Sequence, residues 1–314
     1  MNANDLLPRF VDLLDQLNDA EDLEVMFEVD HARSQGFSPR IRPSQPVDLG
    51  FEAAVEDRGM LLADIDWMEW ANIQRRTFRR REYRRMLADG YNGKKIVSEG
   101  DSWFLYPCRL KDVVNHLRRR FAIYSLGGAG DVLQDMAEKK EYLPVIAQER
   151  PDVFMLSGGG NDVLGGGTID RYLFDFDASK SPEQHLRADF DVVFANLKRM
   201  YRTILQDVRD NTEAVHILLH GYDYAVPMDD KYLGRPMARR GIVDPDFQRD
   251  IVRVLINRFY EEVLEPMVGE FGRVHVVDNR DAVPDPNDWD DEIHPKTRGF
   301  REVAQRFRGL IDSF

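Results

Sequence analysis

From Lys95 onward one unit recurs along the chain: a short apolar run, a polar or glycine-rich turn, then an amphipathic stretch of helical period. The runs are Lys95–Ser98, Phe121–Leu126, Val153–Leu156, Ala214–Leu219 and Arg273–Val277. Helical patterns occupy about 109–120, 183–209, 246–266 and 296–312. Runs this short and this apolar read as strands buried on both faces. Strand, turn and helix in alternation dictate a parallel sheet covered by helices on each side, an α/β architecture. In such sheets the working residues gather in the loops at the carboxyl ends of the strands.

The first 93 residues have a different texture. Leu6, Leu7, Phe10, Leu13, Leu14 and Leu17 predict a helix over 4–19, and Ser38–Pro46 reads as loop. The chain looks helical again from about 51 to 87, where seven arginines fall between Arg75 and Arg85. Gly90-Tyr91-Asn92-Gly93 breaks that pattern, so the expected division is a mainly helical extension over 1–93 and a domain over 94–314. The arginine cluster has two readings: a solvated helix pairing with the chain's own acids, or a patch for an anionic lipid or another acidic surface.

Charge and composition narrow the functions. A formal net charge of -13 argues against a nucleic-acid binder, because phosphate contacts need clustered cations. Cys108 is the sole cysteine, so no internal disulfide forms, in keeping with a reducing compartment. Met1-Asn2-Ala3-Asn4-Asp5 lacks the basic start of a secretory signal. No apolar run approaches the ~20 residues of a membrane span. The expected location is the cytoplasm, though a dedicated secretion apparatus needs no such signal.

Four turns carry chemistry, and each follows an expected strand. Ser102, in Gly100-Asp101-Ser102-Trp103, can present its hydroxyl at the sheet edge, or merely cap a helix. Asp291 and His294 lie on one short turn, where a carboxylate can orient an imidazole that serves as base to a serine. Asn161, in Gly159-Gly160-Asn161-Asp162, offers an amide donor to a developing oxyanion, and Gly127 a backbone N–H at the same edge. Each also has an ordinary reading as a turn or cap residue. The glycine loops fit no phosphate-binding pattern. Asp285, Asp288, Asp290, Asp291 and Glu292 do not have the order of a calcium loop, no His or Cys spacing suggests zinc, and a solvated acidic loop is the expectation there.

The series Gly100-Asp101-Ser102, Gly127, Gly159-Gly160-Asn161-Asp162 and Asp291-x-x-His294 resembles the SGNH/GDSL hydrolase superfamily over about 94–314. Trp103-Phe104 replaces the leucine of the GDSL name. The resemblance implies a three-layer flavodoxin-like fold with a five-stranded parallel sheet, and ester hydrolysis without metal or organic cofactor. It implies Ser102 as nucleophile, His294 as base, Asp291 as its orienting partner, and an oxyanion hole from Ser102, Gly127 and Asn161. His220–Pro227 resembles a stretch seen in some members, and Tyr222, Tyr224 and Met228 are candidates for the acyl-pocket wall. The expected substrate is a small acyl or lipid ester. The alternatives are a phospholipase at a membrane surface and a binding protein that retains the fold, and residues 1–93 are a candidate module for a protein partner.

Overall fold

The computed structural model describes residues 27–29, 41–43, 67–107, 110–164 and 169–314. The helix expected over 4–19 lies outside them. Strands β1 (Phe27–Val29) and β2 (Ile41–Pro43) pair antiparallel, with Glu28 opposite Arg42 and Val29 opposite Ile41. The Pro/Ser-rich stretch therefore contains a strand where loop was expected. Proline is tolerated there because Pro43 ends a two-stranded ladder that needs no further donor.

Helix α1 (Trp67–Ala88) follows, with Glu69 in its first turn and Arg85 in its last, each complementing the helix dipole. It stops at Gly90, whose φ of 85° favours glycine. The sheet strands are β3 (Lys95–Gly100), β4 (Ala122–Ser125), β5 (Val153–Ser157), β6 (His216–His220) and β7 (Val274–Val277), all parallel, in the order β4-β3-β5-β6-β7. The expected five-stranded, doubly wound sheet is present, with its first strand flanked by the second and third. That reversal of direction beside β3 is where ligands enter folds of this kind.

The connecting helices are α2 (Val113–Leu117), α3 (Leu133–Lys139), α4 (Tyr142–Glu149), α5 (Gly160–Leu164), α6 (Asp189–Asn211), α7 (Gly234–Ala238), α8 (Pro245–Arg258), α9 (Glu265–Glu270) and α10 (Thr297–Asp312). A π-helical turn, Phe259–Leu264, joins α8 to α9 inside the single helix expected over 246–266. Alternate strand residues face opposite layers. Phe154 and Leu156 join Phe190, Leu197 and Tyr201 of α6, while Val153 and Met155 join Phe300, Val303 and Phe307 of α10.

Helix α1 departs most from its sequence reading. It covers the edge strand β4, and its arginines turn inward as well as outward. Arg79 is buried; its guanidinium donates to the Phe104 carbonyl at 2.6 Å, to Asp112 at 2.5 Å and to Asn115 at 2.9 Å. Arg75 donates to the Pro107 carbonyl at 3.0 Å, and Arg80 to the Ser125 carbonyl at 3.1 Å. Neither a solvated helix nor a lipid-facing patch describes these side chains. The long stems shield the sheet edge while the heads satisfy loop carbonyls that a hydrocarbon cover would leave bare. Replacing Arg79 by Met should cost about 3–5 kcal/mol in urea unfolding, because Asp112 would keep its buried charge without a cationic partner. A loss below about 1 kcal/mol would show that α1 is not part of the cooperative unit.

Candidate active site

Gly100 ends β3 against β5 so closely that a side chain there would meet Ser157 Cβ at 2.6 Å. The turn that follows is held by Asp101. Its Oδ1 accepts Trp103 N–H at 3.0 Å and Ser157 Oγ–H at 2.8 Å, and its Oδ2 accepts the Tyr222 hydroxyl at 2.5 Å. Ser102 is thereby fixed at the carboxyl edge, where its Oγ lies 2.8 Å from His294 Nε2. His294 Nδ1 lies 2.9 Å from Asp291 Oδ2, and Asp291 Oδ1 accepts the N–H groups of Ile293 and His294. The carboxylate assigns the proton to Nδ1, which leaves Nε2 free to accept the Ser102 hydroxyl proton. Burial pushes the Asp291 carboxyl up, but the His294 ring and its hydrogen bonds outweigh that and hold it below its ordinary range. Ser102, His294 and Asp291 thus form one chain of hydrogen bonds across 192 residues of sequence.

Trp103 occupies the place of the GDSL leucine. Its indole N–H donates to the Ile293 carbonyl at 3.1 Å, tying the serine turn to the histidine loop. Tyr106 sets its ring edge-on to His294 at 5.0 Å. Glu292 is the unforeseen member. It was expected in a solvated acidic loop, yet it is fully buried. Its carboxylate accepts four backbone N–H groups, from Met228, Tyr232, Leu233 and Gly234, at 2.7–2.9 Å.

Gly127 lies in the loop after β4, where its neighbours bond to β3. Leu126 N–H and Gly128 N–H both donate into β3, to Ser98 and Gly100 carbonyls at 2.8 Å. Successive N–H groups of an extended chain point to opposite sides. Gly127 N–H therefore points away from the strand that carries Ser102. Three residues on, Gly130 adopts a φ of 87° beside Asn161, whose Nδ2 donates to the Asp131 carbonyl at 2.7 Å. Asn72 of α1 grips Ala129 from both sides, donating to its carbonyl at 3.0 Å and accepting its N–H at 2.9 Å. Asn72 did not stand out in the sequence. Asp162 caps α3 by accepting Leu133 N–H at 2.9 Å.

The three expected pocket residues separate. Tyr222 stands at the site: its hydroxyl donates to Asp101 and accepts Gly160 N–H at 3.0 Å. Behind it lies an apolar cavity of about 70 Å³, walled also by Val163, Phe194, Leu233 and Phe259. Met228 sits beside the histidine loop through its N–H bond to Glu292. Tyr224 turns to α8, where its hydroxyl donates to Asn257 at 2.9 Å and Arg253 lies over its ring. Among the described residues no group of three or more His, Cys, Asp or Glu is placed to hold a metal ion.

The model of the GDSL-like Lipase/Acylhydrolase family matches residues 87–302. The chain belongs to that family. Among solved structures, a lipase from a goat rumen metagenome is 14% identical with a TM-score of 0.48, over 69% of this chain and 97% of its own. The Clostridium thermocellum family 3 carbohydrate esterase is 14% identical with a TM-score of 0.40, over 70% and 98%. The C-terminal catalytic domain of Streptococcus pneumoniae peptidoglycan O-acetyltransferase A is 11% identical with a TM-score of 0.39, over 70% and 94%. No curated protein matches the chain.

In this GDSL-family fold two acids near the serine and glycine turns are perturbed, Glu99 buried and Asp131 half-buried. Burial, reinforced by Asp131 and Glu141, raises Glu99 to about 8, and burial raises Asp131 to about 7. Between pH 4.5 and about 8 folded Glu99 holds a proton that the unfolded chain has released. Its contribution to stability therefore falls as pH rises from 4.5 to about 8. Glu99→Gln should unfold like wild type near about pH 5 and be more stable by at least about 1 kcal/mol near about pH 9, measured by urea denaturation. An equal difference at both pH values would exclude ionisation as the cause.

Proposed function

We propose that this member of the family hydrolyses carboxylic esters of short acyl groups through an acyl-enzyme on Ser102. The observation that carries the reading is the unbroken Ser102–His294–Asp291 chain at the sheet edge. In the first step Ser102 Oγ attacks the ester carbonyl while His294 Nε2 takes its proton. Collapse of the tetrahedral intermediate expels the alcohol, which receives that proton from His294. Water then enters, gives a proton to the same nitrogen, and releases the acid with Ser102 restored. Asp291 stays ionised throughout and stabilises the imidazolium.

The oxyanion donors in this reading are the N–H groups of Ser102 and Gly130 and the second amide hydrogen of Asn161. The Asn161 bond to Asp131 supports that role, because it spends one hydrogen on fixing the amide and leaves the other available. The apolar cavity behind Tyr222, about 70 Å³, suits an acyl group of a few carbons.

A fluorophosphonate probe should label wild type and not Ser102→Ala. Asp291→Asn should lower kcat by roughly 10³–10⁴, and Asn161→Ala by roughly 10²–10³. Gly127→Ala should disturb packing against Gly100 without the loss of an oxyanion donor, so any surviving folded fraction should turn over normally. Turnover should favour p-nitrophenyl acetate or butyrate over palmitate. Labelling of both wild type and Ser102→Ala would sink the mechanism, and a preference for palmitate would sink the short-acyl assignment.

A further inference from the structure

A second cavity lies at the opposite end of the sheet from Ser102. It occupies about 650 Å³ below the amino ends of the strands, among Lys94 before β3, Arg150 after α4, His216 in β6 and Arg273 before β7. We propose that this cavity is a binding site for a small phosphate-bearing anion. The volume falls in the range of small-molecule sites and exceeds what one inorganic ion fills.

Charge is the first argument. In a chain of net charge -13, the cavity is lined by three basic side chains, Lys94, Arg150 and Arg273, against one acidic side chain, Asp152. That carboxylate already accepts Lys95 N–H at 2.8 Å. Lys94 Nζ reaches the carbonyls of Ile311 and Phe314, and Arg273 donates to the Ala214 carbonyl at 3.2 Å and toward His216 Nε2 at 3.4 Å. The exposed Arg150 guanidinium has no hydrogen bond or ion pair among the described residues. Behind the wall, the buried Arg209 Nε also lacks a partner. Burial lowers His216, and Arg273, Lys94 and Arg209 lower it further. A cavity whose cations repel a proton from its own histidine has room for negative charge.

Backbone conformation is the second, independent argument. Arg150 and Arg273 have φ of 48° and 56°, the left-handed region that glycine occupies without strain. A side chain there costs about 1–2 kcal/mol. The chain carries arginine at both positions, and both line this cavity. Guanidinium is the side chain best shaped to grip a phosphate through two parallel hydrogen bonds.

The backbone supplies the test, because glycine removes the head group and the strain together. Inorganic pyrophosphate should bind the full-length wild-type chain saturably in calorimetry. It should also raise the His216 titration midpoint, followed by NMR. Arg150→Gly should weaken binding roughly tenfold or more, and Arg150→Gly/Arg273→Gly further. Without ligand, the Arg150→Gly variant should melt no lower than wild type. The proposal is overturned by any one of four results: no saturation at millimolar pyrophosphate, unchanged affinity in the glycine variants, equal binding of citrate, or a lowered melting temperature for Arg150→Gly. Ester turnover at the distant Ser102 is untouched by any of these results.

Discussion

A single buried carboxylate, that of Asp101, meets the problem posed by the carboxyl end of a parallel sheet. Strands held side by side by main-chain bonds have no such bonds once they end, and the turns that follow must be aligned by side chains. Asp101 takes donors from its own turn, from Ser157 at the end of β5 and from Tyr222 beyond β6. These bonds satisfy a polar group that burial would otherwise penalise. Ser102 inherits its position from its neighbour.

The same device recurs around the edge. Glu292 gathers four N–H groups of the loop after β6, and Asp223 gathers those of Tyr224, Asp281 and Val283. The Tyr260 hydroxyl, carried on the π-helical turn, donates to the Gly221 carbonyl and accepts Asn279 N–H, joining the exits of β6 and β7. Long loops bury main-chain groups that no strand pairs, and these side chains are their partners. The few acids that are buried thus act as internal scaffolding.

That division explains what could be read from the sequence. The five strands were legible because each is a short apolar run closed by a turn, and Ser102, Asn161, Asp291 and His294 because each follows its strand. Arg79 and Glu292 were not, since a charged side chain that folds inward looks the same in sequence as one that faces water. The glycine loop was ambiguous for a different reason. Which glycine of Gly127-Gly128-Ala129-Gly130 can offer a free N–H depends on ladder register, which the sequence does not carry and which the bonds of Leu126 and Gly128 to β3 display. The direction of Tyr224 was not legible either, because a loop's direction depends on what it can lean against, here Arg253 and Asn257.

Helix α1 begins twenty residues before the family match does, yet Asn72 and Arg79 hold loops inside it. Similarity and foldability therefore draw different borders on this chain. A gene fragment cut at residue 87 would encode every motif of the family and still strip the cover from β4 and the counter-charge from Asp112. For such a protein the structural unit is the helix together with the sheet it edges, and a cut between them separates a lock from its frame.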